Sequence, residues 1–129
     1  MPSFYIVLER KISGVDTYVD GSYLSKNSDQ LEKLASLLGV KPLMAFFSTS
    51  PEEAADLIGQ DDTVQVPRGV KEQWFPAQEG LATINALLAI LPKAQFVQVD
   101  RVESELKEWA RLLQLASSRA TRWHLAVDS

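Results

Sequence analysis

The sequence contains no cysteine and a single histidine, His124. Without cysteine, a disulfide framework, a thiolate metal site and a cysteine nucleophile are all excluded. With one histidine, a metal site built on two imidazoles is excluded, and a serine, histidine and acid triad would have to use His124. The nucleophile pattern Gly-x-Ser-x-Gly is also absent. Most of the common catalytic centres are therefore missing.

Loops that bind phosphate or calcium are missing as well. The 6 glycines are scattered singly along the chain, so no glycine-rich loop is present to cradle the phosphates of a nucleotide. Asp61 and Asp62 are neighbouring acids, but they lack the alternating ligand pattern of a calcium-binding loop. We therefore predict no cofactor, no metal ligand and no identifiable catalytic residue.

The chain lacks both an excess of positive charge and a membrane-spanning run. It has 13 Lys and Arg against 17 Asp and Glu, and the basic residues are dispersed, so general affinity for nucleic acid is not expected. The helix predicted below over residues 76–91 is shorter than the ~20 residues that cross a bilayer. The apolar run at residues 4–8 is too short for the core of a signal peptide and has no basic segment before it. The sequence predicts a cytoplasmic protein with neither nucleic acid nor membrane as a partner.

The longest apolar segment predicts a buried helix over residues 76–91. Pro76 suits a first helical turn, where its missing N–H costs nothing. Apolar residues then recur at spacings of four and three; they are Ala77, Leu81, Ile84, Leu88 and Leu91. Because other apolar residues flank this stripe, we expect the helix to be covered on more than one side, with Thr83 and Asn85 at the edge of the packed face. Gly80 indicates that another backbone passes close by.

The two ends of the chain predict strands. Residues 4–9, FYIVLE, favour a strand that is buried on both faces or nearly so. Residues 121–127 alternate, which indicates a half-buried strand with His124 on its more polar face, opposite Trp123 and Leu125. We expect the two strands to meet in one small sheet. The predicted fold is α+β: a mostly helical single domain over residues 1–129, with the sheet and the other helices packed around helix 76–91.

Capping signals and helical spacing predict further helices. One begins at Asn27 or Ser28 and ends at Gly39, and a short helical turn follows over residues 42–47. Residues 51–58 form another helix.

Residues 60–72 lack any helical period and are predicted to be a loop or an extension of a sheet edge that leads to Trp74. The conformation of residues 94–99 stays open. From Asp100 a surface helix is expected, with an apolar stripe of Val102, Leu106, Trp109, Leu113 and Ala116. Charged residues, Glu105 among them, form the opposite face of that helix, while Leu112 and Leu115 fall outside the stripe.

Three stretches resemble a group of short bacterial proteins of unknown function. They are the start FYIVLE, the pair Trp74-Phe75 followed by Gly80-Leu81, and the ending from Trp123 to Asp128. The resemblance covers most of the chain, and its motifs are mostly structural. It implies a bacterial, cytoplasmic source and no particular activity. No functional residue carries over, because none is established for that group.

Two functions are compatible with the sequence. The leading hypothesis is a non-enzymatic interaction or regulatory module that offers an acidic surface and an aromatic patch to a protein partner or a second copy of itself. It is motivated by the missing catalytic constellation and by the surplus apolar residues Leu112 and Leu115. The rival hypothesis is a small-molecule-binding protein or hydrolase. Its candidate binding surface gathers the polar-tipped aromatic residues Tyr18, Tyr23, Trp74 and His124.

Overall fold

The computed structural model describes residues 3–14, 21–48, 72–96 and 98–128. The described elements are β1 (Ser3–Leu8), α1 (Ser22–Lys26), α2 (Ser28–Leu38), α3 (Ala77–Ile90), α4 (Val99–Ser118) and β2 (Trp123–Asp128), with 3-10 turns at Leu43–Phe46 and Leu91–Lys93. The fold is α+β, as predicted. The predicted helix at 51–58 and the predicted loop at 60–71 lie outside the described residues.

The two ends of the chain pair as predicted. Strands β1 and β2 are antiparallel, and their register places Ser3 opposite Asp128 and Leu8 opposite Trp123. On the other side of β2, Phe75 and Trp123 exchange both backbone hydrogen bonds, at 2.8 and 2.9 Å, and the N–H of Ser48 donates to the carbonyl of Leu125 at 3.1 Å. Strand β2 therefore has backbone partners on both edges.

This central position corrects the predicted burial of β2. His124 and Ala126 are expected on a polar face, but they are 0% and 2% exposed, so β2 is buried on both faces. Strand β1 is nearly buried on both faces, as predicted, with Phe4 and Ile6 buried and the other residues half-buried. Residues 47–48 and 72–75 lie beside β2 and help to bury it. Because they come from other parts of the chain, the hydrophobic pattern of the strand alone does not predict this burial.

Helix α3 confirms the central helix but shows a different buried face. Its buried residues are Ala77, Gly80, Thr83, Ile84 and Leu87. Helices α4 and α2 and the turn Leu43–Phe46 pack against it, so the expected cover on more than one side is confirmed. Leu81 and Leu88 are half-buried, and the remaining side, with Ala82 and Asn85, is exposed. Thr83 is buried because its hydroxyl donates to the carbonyl of Lys41 at 2.7 Å, which satisfies the polar group.

Gly80 lies against a side chain rather than the predicted backbone. A Cβ at this position would overlap the indole of Trp123, at 2.6 Å from Cε2 and 2.7 Å from Nε1. That indole is fully buried, with the ring of Phe46 at 5.0 Å and the ring of Trp109 at 6.3 Å between centroids. The missing side chain of Gly80 thus makes room for the largest side chain of β2.

Helix α4 confirms the predicted stripe and buries more than that stripe. Val102, Leu106, Trp109, Leu113 and Ala116 are all buried, and so are Leu112 and Glu105. The solvent-facing positions assigned to these two residues were wrong, because α4 packs against α1 as well as α3. Leu112 is therefore part of the core and not surplus surface.

Helix α2 ends as its sequence predicts. Gly39 adopts the left-handed conformation with φ of 74°, and the N–H of Val40 donates to the carbonyl of Ala35 at 3.1 Å, which satisfies one of the carbonyls at the helix end. The 3-10 turn Leu43–Phe46 then delivers Leu43 and Phe46 to the core. None of the described helices combines the length and apolar composition needed to cross a membrane.

Candidate functional site

The structure brings two of the four predicted surface residues together. Trp74 and His124 are in contact, with ring centroids 4.8 Å apart. The pairing of Phe75 with Trp123 causes this, because the preceding residue on one segment then lies beside the following residue on the other. Tyr23 instead packs against the hydrophobic core from α1. Tyr18 lies outside the described residues.

His124 is held by acceptors at both of its ring nitrogens. Nε2 is 2.7 Å from Oε2 of Glu72, and Nδ1 is 3.1 Å from the carbonyl oxygen of Leu125. Each ring nitrogen of His124 therefore already has a hydrogen-bonding partner in the structure. A histidine in a nucleophile-activating triad presents one nitrogen to the nucleophile. Here both nitrogens are engaged, and the side chain fastens the segment of Glu72 to β2.

Ser48 strengthens the same junction. Its hydroxyl accepts a hydrogen bond of 2.6 Å from the N–H of Gln73, and its own N–H donates to Leu125. Ser48 is 7% exposed, so the residue is buried within the junction. Sequence reasoning missed Ser48 and Glu72 because both meet β2 across long stretches of chain, and neither carries a local motif.

A second feature is an exposed aliphatic surface at the end of α2. Leu37, Leu38 and Met44, here called the α2 patch, are 83%, 38% and 41% exposed and are the large apolar residues most open to solvent in the described part of the chain. The N–H of Met44 donates to Oε1 of Glu32 at 2.9 Å, which holds the following turn beside α2. A groove of about 540 Å³ runs along the helix here, and the described residues that line it are Glu32, Lys33, Ser36 and Leu37.

A third feature is a cavity lined by basic residues, between the segment that follows β1 and the segment that precedes β2. It has a volume of about 230 Å³, and the described residues that line it are Arg10, Lys11, Ile12, Ser13, Arg119 and Thr121. Arg10 donates from Nη2 to the carbonyl of Ala120 at 2.8 Å, just beyond the end of α4. We call this feature the basic cavity. Its residues are dispersed in sequence, and the strand register gathers them.

Next to the basic cavity, Arg122 is neutralised by Glu9. Its Nε donates to Oε1 of Glu9 at 3.0 Å, and a second hydrogen bond joins Nη2 to Oε2. These hydrogen bonds hold the pKa of Glu9 below its ordinary value of 4.5. Arg122 is therefore already paired and is not counted among the cations of the basic cavity.

The Glu9 pair predicts a defined pH dependence. A lowered folded pKa means that the stabilisation is complete above pH 4.5 and is lost as the pH falls through the folded value. A ¹³C NMR titration of the Glu9 carboxyl should give a midpoint below 4.5. In Arg122→Gln that midpoint should rise toward the ordinary value, whereas in Arg111→Gln it should stay in place. An identical midpoint in Arg122→Gln would contradict the assignment of its cause.

Metal binding has no support among the described residues, where no three His, Asp or Glu side chains are grouped closely enough to hold an ion. The features that could carry function are therefore the His124 junction, the α2 patch and the basic cavity. Comparison with protein-family models, curated protein sequences and solved structures found no match to this chain.

Proposed function

We propose that this chain is an interaction module that associates with a second copy of itself through the α2 patch. The observation that carries the proposal is the exposure of Leu37, at 83%. Moving a leucine side chain from water into an apolar contact is worth roughly 1.5–3 kcal/mol. Leu38 and Met44 are also exposed, at 38% and 41%, so an occupant that reached them would gain from more than one side chain.

The charges beside Leu37 favour a second copy as the occupant. Glu32 and Lys33 line the same groove, and none of the ion pairs among the described residues uses Lys33. In a two-fold dimer the same surface meets itself, so opposite charges on one patch complement each other across the axis. The presence of both signs of charge on one surface therefore suits a self-complementary interface.

The size of the helix limits the strength of this association. Helix α2 has 11 residues and is about 16 Å long. An interface centred on such a helix falls among small contacts that bury less than ~1,200 Å², which are weak or transient. We therefore expect dissociation in the micromolar range or weaker. Such an equilibrium responds to protein concentration, which suits a regulatory role.

The rival function, a binding pocket or hydrolytic site at His124, has less support. General base catalysis needs a ring nitrogen within reach of the group to be deprotonated, and both nitrogens of His124 already face Glu72 and Leu125. The contacts of His124 are explained by a structural role, because they attach residues 72–75 to β2. A bacterial cytoplasmic setting, implied by the resemblance, stays a prediction.

Sedimentation equilibrium over a wide range of concentration tests the proposal. The average mass of the wild type should rise from 14.4 kDa toward twice that value. Leu37→Glu should remain at the monomer mass, because both copies lose the apolar contact and a charge is buried in its place. The expected weakening is more than about a hundredfold.

Ala89→Glu is the matched control, since Ala89 is exposed on α3 and the substitution adds the same charge. It should associate as the wild type does. A wild type that stays monomeric at every concentration would contradict the proposal, and so would unaltered association of Leu37→Glu. If the wild type stays monomeric but binds another protein through Leu37, the α2 patch has a different partner and the proposal of self-association is wrong.

A further inference from the structure

We propose that the basic cavity binds a small anionic group, a phosphate or a carboxylate, between Arg10, Lys11 and Arg119. This inference concerns a different surface from the α2 patch and does not depend on self-association. It rests on the convergence of three cationic residues on one concave surface in a chain whose net charge is −4.

The strand register creates the cavity. Leu8 pairs with Trp123, and the N–H of Glu9 donates to the carbonyl of Arg122 at 2.8 Å. Continuing that antiparallel register places the residues that follow β1 beside the turn between α4 and β2. Residues 10–11 and 119 therefore share one wall although more than a hundred positions separate them. The hydrogen bonds from Glu9 to Arg122 and from Arg10 to Ala120 hold the two segments together, so we infer that this wall is in place before any ligand arrives.

The charge balance of the cavity favours an anion. Arg10 uses one guanidinium N–H on the carbonyl of Ala120, and a cation near the end of a helix also interacts favourably with its dipole. That role accounts for one side chain. Lys11 and Arg119 are exposed and join none of the ion pairs found among the described residues. Like charges that line one cavity repel each other, and a bound anion would offset that repulsion.

The size and the donors of the cavity define the class of ligand. At about 230 Å³ it is smaller than the ~300–1,000 Å³ of pockets that enclose drug-sized ligands. A single phosphate or carboxylate group fits this space, whereas a whole nucleotide does not. Arginine binds both groups with two parallel N–H donors, and Ser13 and Thr121 also line the wall.

NMR titration of the full chain at constant ionic strength tests this site. The probes are inorganic phosphate, methyl phosphate and succinate, and the signals are the arginine Nε–Hε groups and the amides of residues 119–121. Saturable shifts confined to these signals are expected. Arg119→Gln and Lys11→Gln should each weaken the affinity about tenfold, since each removes a charge-assisted contact.

Arg111→Gln is the matched control, because it removes the same side chain from an exposed position of α4, the helix that ends just before Arg119. It should bind as the wild type does. A preference for the phosphates or for succinate identifies the chemical source of the anion, and either preference supports the site. Shifts that never saturate, or an affinity unchanged in both Arg119→Gln and Lys11→Gln, would overturn it.

Discussion

Glu105→Leu is expected to lower the free energy of unfolding by about 3 kcal/mol, although it replaces a charged side chain with an apolar one of similar size. Oε1 of Glu105 accepts hydrogen bonds of 3.0 Å from the N–H groups of both Tyr23 and Leu24. These amides lie in the first turn of α1, whose N-cap residue Gly21 supplies no side-chain acceptor. Leucine would leave them without this acceptor in a buried setting, and each loss costs roughly 1–3 kcal/mol.

Two variants separate this cause from a general effect of mutating α4. Glu105→Gln keeps a side-chain oxygen as acceptor and should lose only about 1 kcal/mol, mainly from the missing charge. Glu108→Leu changes a residue on the exposed side of the same helix and should stay within about 0.5 kcal/mol of wild type. Urea unfolding followed by circular dichroism measures all three. Equal stability of Glu105→Leu and wild type would show that α1 does not need this acceptor.

The parts of the fold that sequence predicted are those governed by local patterns. The stripe of α4 recurs at helical spacing, and the end of α2 has glycine at the position that requires positive φ, so neighbours in sequence were sufficient to locate them. The pairing of β1 with β2 was also predicted, because helices filled the chain between two strand-like ends. In each case the physical cause lies within a few residues or follows from chain order.

The parts that sequence missed depend on contacts between distant segments. Glu105 looks like a solvent-facing residue from its spacing, yet it is buried because α1 brings two amides to it. His124 looks like a residue on a polar face, yet the segment of Glu72 covers it. Periodicity shows which polar residues share a face of a helix or strand. It does not show whether another segment supplies hydrogen-bond partners that let those residues be buried.

The candidate sites divide in the same way. Trp74 and His124 were selected as polar-tipped aromatic residues, and their contact results from the register between Phe75 and Trp123, which no local signal specifies. The basic cavity was missed for the opposite reason. Its cations are dispersed in sequence, and a dispersed set of basic residues predicts no concentrated positive charge on the surface. The register of the terminal strands gathers them, so charge patterning along a chain underestimates charge patterning on its surface.

Gly80→Ala is expected to destabilise the protein by about 2 kcal/mol, although alanine is the better helix former by about 1 kcal/mol. The added Cβ would lie 2.6 Å from Cε2 and 2.7 Å from Nε1 of Trp123. The indole cannot swing aside freely, because it is fully buried with Phe46 and Trp109 against it. Asn85→Ala, on the exposed side of α3, should instead stabilise by about 0.5 kcal/mol, since propensity acts there without overlap.

A double-mutant cycle with Trp123→Phe identifies the overlap as the cause. Phenylalanine lacks the second ring of the indole, so the single variant should lose roughly 3 kcal/mol through the space it leaves. In that background Gly80→Ala places a methyl group where the ring has been removed. The two changes together should therefore cost at least ~1 kcal/mol less than the sum of the single changes. Chemical denaturation of the four proteins measures this coupling. Strict additivity would mean that the close approach of α3 to β2 does not depend on the absence of a side chain at Gly80.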